Sequence, residues 1–228
     1  VSNFTMDNRT KPALNNAINL SSKGRDSFSE STYYSSASYC FGANVEFNHL
    51  YLVQLNLTEK EAEEKVNELR REIGDFDKII EGERIKTITD IESYMIVKER
   101  LFEAYTFLGL VEESIKNNNT NLRNLAYSME RINSAKSWAR FLDNTGKEFD
   151  FNDKVIENAC RTKLSEVEER LQYVQLYIPQ NLEATKKELG YAYQDLRDGN
   201  HELCLFKASK AKANVDTVLS VFGVRSSN

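Results

Sequence analysis

Apolar residues recur at spacings of three and four along this chain, over long stretches that proline and glycine hardly interrupt. The clearest example is the stripe Ala62, Val66, Leu69, Ile73, Phe76 and Ile80. The 228 residues include 2 Pro and 9 Gly, about half or less of the usual share of each. No segment shows the apolar-polar alternation of a strand. The sequence therefore predicts an all-α fold.

The pattern predicts about eight antiparallel helices, arranged as helical hairpins in a tetratricopeptide-like array or a bundle. Short connections between the helices favour antiparallel neighbours. We expect Gly24 to end the first helix, and a Ser-rich connection over Arg25–Thr32 to lead into the second. Farther along, we expect capping boxes at Thr58–Glu61 and Thr89–Glu92 and a turn at Asn117–Asn121. Asn152 or Asp153 is expected to cap a helix, and Pro179 is expected to mark the start of the next helix.

The expected domain organisation is one helical domain over residues 12–222, with a subdivision near 146–152 left open. Residues 1–11 form a flexible N-terminal segment in this interpretation, and residues 223–228 form a frayed tail. The polar opening at Val1 has neither a start Met nor a signal-peptide core, which suggests a chain cut from a longer protein. The sequence leaves the localisation open, and its opening is compatible with export or with membrane attachment through a missing N-terminal segment.

Charge and hydropathy restrict the classes of partner. The net charge of −5 argues against nucleic acid, which needs a basic face to displace counterions. No stretch has the roughly 20 apolar residues that span a bilayer, so no membrane span is expected within this chain. The predicted partner is therefore a protein or a peptide.

Chemical motifs are sparse, and the sequence predicts no catalytic, cofactor-binding or metal-binding residues. His49 and His201 are about 150 residues apart without a ligand at helical spacing, and no phosphate-binding glycine loop occurs. Cys40, Cys160 and Cys204 lie in apolar helical patterns and are interpreted as small buried thiols. We therefore expect no cofactor, and whether the chain or its parent is an enzyme stays open.

Asn-x-Ser/Thr sequons occur five times, where composition alone gives about three. They begin at Asn3, Asn8, Asn19, Asn56 and Asn118. This excess is too small to establish by itself that the protein is exported.

A small-residue pattern recurs at Ser38–Asn44, Ser134–Arg140 and Ala208–Asn214. In the first and third copies the run Ala-Asn-Val-acid is repeated, ending in Glu46 and Asp216. Small side chains at such positions allow two helices to approach closely. Chance recurrence of Ala and Ser in packed helices explains the pattern equally well.

Three segments carry a resemblance to a known family. They are Ser31–Asn44, with the run Ser-Thr-Tyr-Tyr-Ser-Ser-Ala-Ser-Tyr, and Leu196–Asn200 followed by Lys207–Asn214. These segments resemble the helical region that follows the protease domain in archaeal Lon-like serine proteases of the S16 type. The resemblance implies that the parent is a serine endopeptidase whose Ser-Lys dyad lies in a separate upstream domain. It transfers no catalytic residue to this chain.

The favoured function is a non-catalytic helical interaction or accessory domain, in a Lon-like protease, for handling substrate proteins or for assembly. Tyr33, Tyr34, Tyr191 and Tyr193 are the candidate interaction surface. One alternative is a coiled-coil structural or dimerisation module, although the same heptad stripes could pair inside one chain. The other is a stand-alone enzyme with a site inside the bundle.

Overall fold

A computed structural model describes residues 10–143, 145–177 and 182–221, and over these ranges it confirms the all-α prediction. The described residues form eight α-helices, one short 3-10 turn at Ala139–Phe141 and no strand. The helices are α1 Lys11–Ser29, α2 Tyr33–Leu55, α3 Glu59–Glu81, α4 Ile88–Lys116, α5 Leu122–Trp138, α6 Asp153–Tyr177, α7 Glu183–Arg197 and α8 His201–Val221. Most of the expected N-terminal segment, the helix start at Pro179 and the frayed tail lie outside the described residues.

The chain divides into two compact units. Unit 1 holds the described residues up to Glu83 together with Val97–Arg140, and unit 2 holds Arg84–Ile96 and the described residues from Phe141 onward. Helix α4 therefore begins in unit 2 and continues into unit 1. The domain limits expected from the sequence, 12–222 with a subdivision near 146–152, stay a prediction.

In unit 1, α2 packs against α1 on one side and against α5 on the other. Each of these helices buries a small residue: Ala17 in α1, Ala43 in α2 and Ala135 in α5. Ala43 and Ala135 come from two copies of the recurring small-residue pattern. Their short side chains fit a close approach of the helix backbones.

Gly24 does not end the first helix, so that expectation is wrong. Helix α1 continues through Gly24 to Ser29, and only residues 30–32 separate it from α2. The Ser36 hydroxyl donates a hydrogen bond of 2.7 Å to the Gly24 carbonyl oxygen. A Cβ atom on Gly24 would lie 2.8 Å from Cys40 Sγ. The glycine is thus a point of close contact between α1 and α2 rather than a terminator.

Gly24→Ala is expected to lower the free energy of unfolding by about 1 kcal/mol or more, because the added methyl group overpacks the contact with Cys40. The same substitution in a Cys40→Ala background is expected to be neutral or stabilising, by up to about 1 kcal/mol, because alanine favours helix and the sulfur is gone. Denaturant unfolding of the four proteins of this cycle measures both effects. Equal effects in the two backgrounds would contradict the proposed contact.

The two capping boxes have different outcomes. The Thr58–Glu61 box is confirmed, with the Glu61 amide donating to the Thr58 hydroxyl and the Thr58 amide donating to the Glu61 carboxylate. The second capping box lies two residues earlier than predicted, at Thr87–Asp90 instead of Thr89–Glu92. The Thr87 amide donates to Asp90 Oδ2 at 2.9 Å, and the Asp90 amide donates to Thr87 Oγ1 at 3.1 Å. Both Thr87 and Asp90 are buried, so packing selected this pair over its neighbour of similar pattern.

The acid that ends the recurring Ala-Asn-Val-acid run has the same role in both units. In unit 1 the Glu46 carboxylate is buried and accepts bonds of 2.7 and 2.9 Å from Arg123 of α5. In unit 2 Asp216 of α8 accepts a hydrogen bond from Arg170 of α6. Each acid therefore connects its helix to a neighbour through an arginine.

In unit 2, α6 and α7 both pack against α8. Ala208, Ala211 and Val215 of α8 are fully buried, together with Leu164 and Val167 of α6. The heptad-like stripe of α6 therefore faces the core of its own unit. The same holds for most of the α3 stripe in unit 1, whose buried members are Ala62, Val66, Leu69, Ile73 and Ile80.

The prediction of buried thiols is correct in burial for Cys160 and Cys204 and wrong in their chemical state, and for Cys40 it is wrong in burial. Cys160 of α6 and Cys204 of α8 form a disulfide, with their Cα atoms 5.8 Å apart. That separation is usual for a disulfide. Cys40 is a free cysteine and is exposed. The prediction failed because pairing across 44 residues depends on how α6 and α8 pack, which residue spacing does not encode.

A charged pair is also buried in unit 2. Lys207 of α8 is only 1% exposed, and its Nζ atom lies 2.7 Å from Asp195 Oδ2 of α7. Asp195 is buried as well. Two desolvated charges are tolerated only as a pair, since either one alone would lose its hydration without compensation.

Candidate functional site

An exposed apolar ridge runs along α2 in unit 1. Phe47, Tyr51 and Leu55 are each one helical turn apart, and they are 41%, 55% and 47% exposed. Their spacing of four places them in one row of about 12 Å length. Singly exposed apolar residues are ordinary on protein surfaces, whereas a row of three large ones forms a contiguous surface for contact.

The ridge arises because the end of α2 is apolar all round. Residues 50–55 read Leu-Tyr-Leu-Val-Gln-Leu. Consecutive residues point in different directions on a helix, so a run of this kind cannot bury every member. Leu50 and Leu52 enter the core, and Tyr51 and Leu55 remain exposed.

The C-terminal end of this ridge opens into a groove of 570 Å³. Residues from α2, from the α2–α3 connection, from α3 and from α5 line it. Its apolar lining consists of Tyr51, Leu52, Leu55, Leu57 and Met129. Pockets that hold a peptide or a small molecule have this size, and they combine apolar side chains with polar groups as this groove does.

The edge of the groove is formed by α3 and is acidic. Glu61, Glu64 and Glu68 line it, together with Lys65 and Arg71. Lys65 is engaged with Glu68 at 2.8 Å. The first two turns of α3 hold four glutamates, Glu59, Glu61, Glu63 and Glu64, against two lysines, Lys60 and Lys65. The local field at this end therefore favours a cationic group.

The capping interaction fixes part of this acidic edge. The Glu61 carboxylate receives hydrogen bonds from the amide and the hydroxyl of Thr58, at 2.8 and 2.7 Å. Both bonds lower the pKa of Glu61, since they stabilise the ionised carboxylate. Glu61 therefore keeps its negative charge at neutral pH and holds a fixed place beside the groove.

The four tyrosines predicted as an interaction surface belong to different units. Tyr33 and Tyr34 begin α2 in unit 1 and are 61% and 87% exposed. The Tyr33 ring meets the exposed Phe28 ring edge to face, with centroids 5.6 Å apart. Tyr33 and Tyr51 are 18 residues apart on one helix, a distance of about 27 Å. The Tyr33–Tyr34 end and the groove are thus separate surfaces of α2.

Tyr191 and Tyr193 lie on α7 in unit 2, and both are half-buried. Lys187 and Lys207 each place their Nζ atom 5.7 Å from the centre of the Tyr191 ring. Burial, followed by a hydrogen bond to Glu168, raises the pKa of Tyr193 to about 12. Both rings therefore take part in the packing of unit 2, and their role as an interaction surface stays a prediction.

Each of the two histidines lies near a carboxylate in the part of the chain that the structure describes. No group of three or more His, Cys, Asp or Glu residues there is placed to hold a metal ion. His201 Nδ1 lies 2.5 Å from Asp153 Oδ1 in unit 2. In unit 1, burial and then the nearby Arg123 guanidinium lower the pKa of His49, against a smaller opposing effect of Glu46.

None of the helices over the described ranges combines the length and the hydropathy needed to cross a membrane. This agrees with the expectation that the chain contains no membrane span.

Sequence reasoning missed the groove. The spacing of the apolar residues Phe47 and Leu50–Leu55 favours helix over strand but does not show which of their directions a neighbouring helix covers. The spacing of four from Phe47 to Leu55, offset from the buried Leu50, was the signal of a second apolar face.

The chain matches no protein-family model. Comparison with the curated proteins and with the solved structures also finds no match. The described geometry is therefore the basis of the functional conclusion below.

Proposed function

We propose that this chain is a non-catalytic helical interaction domain, and that the α2–α3 groove of unit 1 binds an amphipathic, basic segment of a partner protein. The observation that carries the proposal is the exposed row Phe47–Tyr51–Leu55 leading into the groove. A binding role of this kind fits the handling of protein substrates or the assembly of a larger protein.

The apolar contacts would supply most of the affinity. Leu55 and Tyr51 are large, exposed and held on a regular helix, so little conformational entropy is lost when a partner covers them. Because Phe47, Tyr51 and Leu55 are one helical turn apart, their row suits a partner helix whose own apolar residues recur every three or four residues. Aromatic and apolar anchors at the centre of a contact are the usual positions of strong binding contributions.

The glutamates at the start of α3 set the charge of the partner. Lysine or arginine residues flanking the apolar face of the segment would meet Glu61 and Glu64. Such rim charges act mainly on association rate and on partner choice, and less on affinity. A partner segment rich in Asp or Glu would be disfavoured for the same reason.

Leu55→Asp is expected to weaken binding of a basic amphipathic Leu/Lys peptide by tenfold or more, because the change places a charge where apolar contact is needed. A tenfold loss corresponds to about 1.4 kcal/mol of binding free energy. Fluorescence anisotropy with the labelled peptide measures this effect. Since Leu55 is exposed, the variant should keep its thermal unfolding midpoint.

The matched control is Leu110→Asp, the same change at a leucine of α4 that is exposed to a similar extent and does not line the groove. It should leave the affinity unchanged, and a Leu/Glu peptide should bind the original chain more weakly than the Leu/Lys peptide. Equal losses in the two aspartate variants would mean that the peptide binds nonspecifically and would overturn the groove as the site.

The dimerisation alternative has less support, because the heptad-like stripes of α3 and α6 are largely buried within the chain. Sedimentation equilibrium distinguishes it, since a stable dimer at low concentration would favour that alternative. The resemblance to the accessory region of Lon-like serine proteases remains a prediction from the sequence. An upstream coding region that encodes a Ser-Lys protease domain would support it.

A further inference from the structure

We propose that Asn118 is an N-glycosylation site, and that the protein matures in a compartment where disulfides form. The acceptor sequence is Asn118-Asn119-Thr120, in the connection between α4 and α5. The inference is independent of the proposed groove, because it concerns a covalent modification of a different part of unit 1.

The reaction transfers an oligosaccharide from a lipid diphosphate donor to the Asn118 side chain. The amide nitrogen forms a bond to C1 of the first sugar, and the bond from C1 to the diphosphate oxygen breaks. The lipid diphosphate departs as the leaving group, and the amide nitrogen loses one proton. The hydroxyl of Thr120 completes the motif that the transferase recognises.

The conformation of this turn presents the acceptor to solvent. Asn118 has a φ of 53°, in the left-handed region, two residues after the end of α4 at Lys116. Asn118 is exposed, and its side-chain amide has no hydrogen bond to any residue in the described ranges. A glycan on this nitrogen would therefore extend into solvent without displacing a structural contact.

The other sequons are less suited or fall outside the structure. Asn56 adjoins Leu55 of the groove, and the hydroxyl of its Thr58 donates to the Glu61 carboxylate at 2.7 Å. Asn19 lies within α1, whereas accessible acceptors are typically found in surface loops. Asn3 and Asn8 lie outside the described residues. Asn56 and Asn118 are both exposed in turns, but in the described part of the chain only Asn118 combines such an amide with a sequon hydroxyl, that of Thr120, that makes no hydrogen bond.

The disulfide is the second, independent observation. The pair Cys160–Cys204 connects α6 to α8 in the core of unit 2. Disulfides of this kind persist in exported proteins and are rare where glutathione and thioredoxin keep thiols reduced. The compartments that oxidise cysteines are also those in which N-glycans are added in eukaryotic cells. The two features therefore point to the same location.

The test is expression of the chain through the secretory pathway of a eukaryotic host, followed by peptide mapping with and without a peptide N-glycosidase. Asn118 should carry a glycan, and enzymatic release should convert it to Asp. Asn118→Gln and Thr120→Ala should both abolish this occupancy. The control Asn119→Gln keeps the sequon and should remain fully modified.

Secreted protein that contains the Cys160–Cys204 disulfide but an unmodified Asn118 would overturn the proposal. Loss of the glycan in Asn119→Gln would also contradict it, because that change leaves the acceptor and its threonine in place. A folded, disulfide-containing chain in all three variants shows that any lost occupancy comes from the sequon and not from misfolding.

Discussion

Replacing Lys207 by methionine is expected to lower the free energy of unfolding of unit 2 by about 3 to 5 kcal/mol. Lys207 is almost completely buried, and its ammonium group is 2.7 Å from Asp195 Oδ2. Without the lysine, the Asp195 carboxylate would remain in the interior with its main counter-charge removed. The decrease in the free energy of unfolding therefore comes more from burying an uncompensated carboxylate than from losing the attraction between the two groups.

Denaturant unfolding followed by circular dichroism measures the change, and hydrogen exchange of peptides from α8 assigns it to unit 2. The double variant Lys207→Met, Asp195→Val should recover most of the lost stability, since two apolar side chains need no counter-charge. Recovery by the second substitution would also show that Met is tolerated at position 207.

The surface variant Lys60→Met is the matched control. Lys60 lies 3.8 Å from Glu64 on α3, and both side chains are largely exposed. Lys60→Met should change the free energy of unfolding by no more than about 0.5 kcal/mol, because water and salt screen an exposed pair. A Lys207→Met variant as stable as this control would show that the buried pair does not contribute as described.

Breaking the Cys160–Cys204 disulfide is expected to destabilise the protein by about 2 to 4 kcal/mol. The two cysteines are 44 residues apart in sequence, so the bond closes a long loop in the unfolded chain. Opening that loop raises the conformational entropy of the unfolded state in the chain-entropy model. Unit 2 should show the effect, because α6 and α8 both belong to it.

The measurement compares unfolding midpoints with and without a reductant, alongside the variant Cys160→Ala, Cys204→Ala. Reductant should lower the midpoint of the original chain and leave that of the alanine variant unchanged. Cys40→Ser should respond to reductant as the original chain does, since Cys40 is a free, exposed cysteine. An unchanged midpoint on reduction of the original chain would contradict a stabilising disulfide.

Features that depend on neighbours in sequence were predicted well. The stripe from Ala62 to Ile80 predicted a helix with one buried face, and α3 has it. The capping box at Thr58–Glu61 and the turn at Asn117–Asn121 were also correct. A cap requires only a hydroxyl and a carboxylate three residues apart, so local spacing contains the necessary information.

Features that depend on distant residues were predicted poorly. Gly24 was interpreted as a helix end because glycine often stops helices, yet its role comes from Cys40 and Ser36 on the next helix. The capping box of α4 was displaced for a related reason. Thr87-x-x-Asp90 and Thr89-x-x-Glu92 have nearly the same local pattern, and burial of the first distinguished them.

The candidate site shows the same division. The sequence by itself determined that residues 50–55 are apolar in nearly every direction, and hence that α2 must expose some of them. Only the tertiary structure decided that Leu50 and Leu52 are buried while Tyr51 and Leu55 face the groove. A helix specifies the angles between its side chains through local hydrogen bonds. Which of those directions is covered depends on how the helices pack on one another, and packing within unit 2 likewise joins Cys160 to Cys204 and Lys207 to Asp195.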